Sequence, residues 1–162
     1  MLAALFPSHK GVSNMTAESD FTADEWRTVL EAPPSAGMIV LTAQKGGTFK
    51  EMWAMSKAYV EARKQHGESE LLDVIVSTKP KVDHTHYSSP QELREAGLAT
   101  INQAVTVLQG KATSEEVDEY KRFIVTLSKE VASAHREGGD EVSPAEADAV
   151  KAIAQTLGVS AG

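Results

Sequence analysis

Asp83-His84-Thr85-His86-Tyr87 sets two imidazoles two residues apart, beside a carboxylate, in an otherwise polar stretch. Neutral imidazole is a common ligand for divalent transition metals, and Asp83 would add a third donor to a zinc site that needs about four. The same residues admit an acid–base reading, in which His84 or His86 takes a proton and Asp83 orients the ring. The bland alternative is a solvated loop with two incidental histidines. A second group of donors is spread along the chain: Glu25, Glu51, Glu92, Glu116 and Glu146 each stand three residues after a Thr or Ser, namely Thr22, Thr48, Ser89, Thr113 and Ser143. A carboxylate next to a loop is a hard oxygen donor suited to a cation. The spacing has a structural explanation too. In a capping box the hydroxyl accepts from the N–H three residues on, and the glutamate reaches back to the N–H of the capping residue.

Other chemistry is poorly provided for. With no cysteine, thiolate metal sites, thiol nucleophiles and disulfides are excluded. There is no Gly-x-Ser-x-Gly elbow, and Gly46-Gly47 lacks the Lys-Ser/Thr that completes a phosphate-binding loop. Met52, Trp53 and Met55 could line a ligand pocket, although Met and aromatic residues at helical spacing more often form core. His66 and His135 fall near expected helix C-termini, where an imidazolium complements the dipole.

The boxes announce helices, and apolar periodicity supports them. Phe21 and Trp26 flank the Thr22 box as a hydrophobic staple would, predicting a short helix over about 23–31. Pro33-Pro34 is expected to interrupt it and to open a second helix reaching Ala43, although 36–43 is also compatible with a buried strand. Thr48 starts a helix to about His66, with Phe49, Met52, Met55, Tyr59 and Ala62 as its inner stripe and Gly67 as its stop. The segment 70–76 is again helix or strand. Lys79 to Ser89 reads as a long interior loop. Ser89-Pro90-Gln91-Glu92 begins a helix to Gly110, with Leu93, Ala96, Ile101, Ala104, Val105 and Leu108 on one side. The longest helix runs from Thr113 to about Arg136, its seam formed by Val117, Tyr120, Ile124, Leu127, Val131 and Ala134. Ser143-Pro144 opens the last helix, with Val150, Ile153 and Leu157 inward and Gly158 closing it. The expectation is an all-α single-domain bundle of six to seven helices over 21–159. Residues 1–20 read as a disordered tail, in which Met15 is an alternative start, and 160–162 as a short end.

The chain of 162 residues carries 16 Lys and Arg against 23 Asp and Glu, a net charge of −7 with the signs mixed along its length. No concentrated basic face emerges, which argues against nucleic acid as a partner. No stretch approaches the roughly 18 apolar residues of a membrane span, and Met1-Leu2-Ala3-Ala4-Leu5-Phe6-Pro7 is too short for a signal peptide.

Gly138-Gly139-Asp140-Glu141-Val142-Ser143-Pro144-Ala145-Glu146, followed by Val150, Ile153, Ala154, Leu157 and Gly158, resembles the closing segment of tellurite-resistance TerB-like domains. Phe21 to Trp26, Ala32-Pro33 and the stretch Ala43 to Glu51 are similar to the opening of that family's longer members, so the resemblance spans most of 21–158. It implies a helical bundle of about this length. It also implies a cytoplasmic, non-enzymatic protein of metal or oxyanion stress response, with a divalent cation held by acidic loops. On that implication the ligands are Glu51 from the first loop and Asp140, Glu141 and Glu146 from the second. Two departures matter. Gln44 and Lys45 stand where the first loop's acidic residue is expected, and a lysine repels a cation; Asp140 is shifted by one position from the family's Asp-Gly order. A relative that kept the bundle and lost the ion is an equal reading, acting through a protein partner. The rivals are a scaffold or self-association module using the 117–134 seam, and an enzyme or metal site on Asp83, His84 and His86.

Overall fold

The computed structural model describes residues 16–43, 49–64, 70–78, 88–137 and 143–160, and within them the chain is all helical. A 3-10 turn, Glu18–Asp20, precedes six α-helices: α1 (Ala23–Ala43), α2 (Phe49–Lys64), α3 (Glu70–Ser77), α4 (Pro90–Lys111), α5 (Ser114–Glu137) and α6 (Pro144–Leu157). The two segments compatible with either helix or strand, 36–43 and 70–76, are both helical.

Helix starts follow the boxes closely where they are described. At α1 the Thr22 hydroxyl accepts from Glu25 N at 3.1 Å and the Glu25 carboxylate accepts from Thr22 N at 2.8 Å. The Phe21 and Trp26 rings meet at 5.4 Å between centroids, the expected staple. Reciprocal boxes also open α5 at Thr113–Glu116 and α6 at Ser143–Glu146. At α4 only half of the box forms. Ser89 accepts from Glu92 N, but the Glu92 carboxylate turns to the N–H and hydroxyl of Ser88. The Thr48 box lies outside the described residues. Gly158 ends α6 in the left-handed region at φ 75°, and Val159 N returns to Ala154 O at 2.9 Å, a Schellman closure.

The expected break at Pro33-Pro34 does not occur. Both prolines are buried in the middle of one continuous helix, so the two anticipated N-terminal helices are one. A proline in a helix interior removes one N–H and crowds the carbonyl four residues back, at a cost of about 3 kcal/mol. For Pro33 that carbonyl is Val29's. It is met by the Tyr120 hydroxyl, which donates to Val29 O at 2.7 Å from the facing helix. The acceptor orphaned by Pro33 is thereby satisfied across the core, at a residue from which solvent is fully excluded.

Helices α1 and α5 form the centre. α4 lies along α1, α2 and α3 pack on α5, and α6 closes against α1, α5 and α4. The anticipated seam of α5 is buried throughout, and one apolar cluster draws on every helix. Close approach is set by glycines inside helices. A Cβ at Gly97 would lie 2.7 Å from Ile39 Cδ1, and one at Gly37 would lie 2.8 Å from Met55 Sδ, so α1 meets α4 and α2 almost backbone to side chain.

Candidate functional site

Of the cation ligands that the family resemblance implies, Glu146 is the one whose side chain is described. It sits in the first turn of α6, 1% exposed, and its Oε1 accepts from both the N–H and the hydroxyl of Ser143, at 3.1 and 2.9 Å. The box is therefore the role its geometry fills. Glu51 belongs to the first turn of α2 and its side chain lies outside the described part. Asp140, Glu141, His84, His86 and Asp83 fall in segments outside the described residues altogether. Among the described residues no three His, Asp or Glu side chains gather where a metal ion would fit.

A polar cluster that the sequence reading did not assemble sits where α4 turns into α5. The Glu116 carboxylate accepts from Thr113 N at 2.9 Å as a capping box requires, and also from Thr16 N at 3.0 Å and the Thr16 hydroxyl at 2.6 Å. Thr16 falls within the expected tail, yet it is buried here. Beside it, Lys111 Nζ donates to Asp20 O at 2.9 Å and Glu25 Oε1 at 2.7 Å, and lies 5.7 Å from the Phe21 ring centroid. Burial raises the Glu116 pKa, but the hydrogen bonds from Thr113 and Thr16 outweigh it and hold the carboxyl below its ordinary value. The Lys111 hydrogen bond, with help from Thr22, lowers Glu25 in the same direction.

No family model, curated protein or solved structure matches this chain.

The outer face of α2 is the second feature. Of the described aromatic side chains, Phe21, Trp26, Tyr59, Tyr120 and Phe123 are buried, whereas Trp53 is 58% exposed. The core reading of Met52, Trp53 and Met55 is corrected for Trp53: Met55 is in the core, and Trp53 points to solvent, because position 53 falls outside the inner stripe that continues through Met55 and Tyr59. Lys57, Val60 and Lys64 continue from Trp53 at spacings of four, three and four, and all are exposed, Val60 by 40%. The Lys57 ammonium lies 5.6 Å from the Trp53 ring centroid. The result is an alternating apolar and basic stripe. Its signal was present in the same periodicity that revealed the core stripe, offset around the helix.

No described helix is long and apolar enough to cross a membrane.

Proposed function

We propose that the chain is a non-catalytic contact module of the TerB-like kind, cytoplasmic and serving a metal or oxyanion stress response, and that it engages an acidic protein segment through the outer face of α2. The observation carrying this reading is the exposed Trp53 in line with Lys57, Val60 and Lys64. Tryptophan contributes disproportionately when it is desolvated at the centre of an interface, and a basic surround steers and selects acidic partners. Two lysines are too few to hold nucleic acid, whose binding rests on many phosphate contacts. Two apolar side chains are also few for anchoring in a bilayer.

The test titrates the protein with an amphipathic helical peptide bearing Leu on one face and Glu beside it, and with its Lys-for-Glu counterpart, reading tryptophan emission. The expected result is a blue shift with the acidic peptide, weakened by salt and missing in Trp53→Phe. An equal response to the Lys peptide, no response to either, or a shift only with anionic vesicles would overturn the proposal. Light scattering addresses self-association through the same face: concentration-dependent dimers abolished by Trp53→Ala would replace the foreign partner with a second copy.

In the cation branch of the family resemblance, a metal at Glu146 would share a carboxylate whose Oε1 is already held by the Ser143 cap. Calorimetry with calcium, manganese and zinc should give no heat that depends on Glu146. Heat lost in Glu146→Gln would restore the cation.

A further inference from the structure

We propose that Thr16–Phe21 is a strap that unlatches from the α4–α5 corner as a unit while the helical bundle stays folded, with the Glu116 carboxylate as its latch. Ala17, Glu18, Ser19 and Asp20 are all exposed, and their backbone bonds are local: Asp20 N to Ala17 O and Phe21 N to Glu18 O. The Asp20 carboxylate likewise only caps this turn, accepting from Ala17 N at 2.8 Å. The segment's hold on the rest of the molecule is concentrated at its ends. At one end Thr16 gives its N–H and hydroxyl to Glu116; at the other Lys111 clasps Asp20 O and lies over Phe21.

That distribution separates the strap from the core. Phe21, packed against Trp26, is the segment's single side chain in the apolar cluster, and segments with exposed backbone bonds and few buried apolar contacts open at lower free energy than the global transition. Helix α1 is independently anchored by Trp26, Val29 and the Tyr120 bond, so opening of the strap stops at the Thr22 cap. Glu116 keeps its own box with Thr113 when Thr16 departs, and α5 therefore retains its first turn. One carboxylate has two jobs, and only one of them is reversible without melting a helix. The open form presents Glu116 to solvent where the closed form holds it against Thr16.

Native-state hydrogen exchange on the full chain tests this. The Thr16, Asp20 and Phe21 amides should exchange together, at least about tenfold faster than those of Ile124 and Leu127 in α5. Thr16→Val removes the hydroxyl donor at nearly constant shape and Glu116→Gln replaces the latch; each should accelerate the strap amides about tenfold, whereas Ile153→Val, which thins a core that stays packed in the open form, should accelerate the Ile124 and Leu127 amides about fivefold and leave the strap amides within about twofold. Strap amides that exchange in step with Ile124 and Leu127, that keep their rate in Thr16→Val, or that accelerate along with the α5 pair in Ile153→Val overturn the proposal. Thr16→Val leaves the Thr113 box intact and keeps the test decisive should Glu116→Gln fail to fold.

Discussion

The first turns of α5 and α6 are written in the same pattern, Thr113-Ser-Glu-Glu116 and Ser143-Pro-Ala-Glu146, and in both the glutamate is buried against its cap. They differ in reach. The described bonds of the Ser143 box close within three residues, and its helix adds an exposed ion pair to its packing on α4, Arg94 with Asp148 at 3.1 Å. At the Thr113 corner Glu116 takes Thr16 from 100 residues away, Lys111 takes Glu25 from 86, and Tyr120, one turn further on, reaches Val29 across 91. A capping motif specifies where a helix begins; whether its carboxylate also becomes a tertiary contact depends on what the fold delivers to that corner.

Replacing Glu116 with Ala should be the most damaging test of this difference, costing about 2–3 kcal/mol in urea unfolding because a box and two long-range donors are lost together. The same change at Glu146 should cost about 1 kcal/mol, the usual scale for a cap. Equal losses would erase the distinction between the corners. Tyr120→Phe follows, at about 1–3 kcal/mol, since it strands a buried carbonyl. In a Pro33→Ala background, where residue 33 regains an N–H for Val29 O, the Tyr120→Phe cost should shrink, and a double-mutant cycle measures the coupling.

Acid sharpens the comparison further. Glu116 and Glu25 both have folded pKa values below the ordinary 4.5, so their stabilisation is present above that value and is lost as pH falls through the depressed folded values. Glu25 faces Lys111 from α4 and Glu116 holds Thr16, so acid loosens the α4–α5 corner, readable as faster exchange of the Thr16 amide below pH 4.5. Arg94→Ala should have the smallest effect, under about 1 kcal/mol, as an exposed pair contributes little.

The contrast also explains what was legible from sequence. The Thr22, Thr113 and Ser143 boxes, the Phe21–Trp26 staple and the α5 seam are patterns within one helix length, and each appears as read. Pro33-Pro34 reads as a break because its local consequence is a missing N–H; the hydroxyl that repairs it sits in another helix. Thr16 reads as tail because nothing near it in sequence reveals Glu116. Trp53 was visible as a helical residue, but assigning it to core or solvent needs the orientation of α2, which packing on α5 fixes through Met55 and Tyr59. Among the candidate metal ligands, Glu146 carries two local explanations in one residue, and the geometry of Ser143 favours the cap.

Tyr59 and Tyr120 are two of the chain's three tyrosines, and burial pushes both phenols well above their usual ionisation range. Their neutral forms favour the folded chain, a contribution intact below about pH 10 and lost as pH rises toward the folded values. Phenolate absorbance near the ultraviolet edge therefore becomes a built-in optical alarm: alkaline titration should show these two rings ionising late and abruptly, at the moment the α2–α5 and α1–α5 contacts give way.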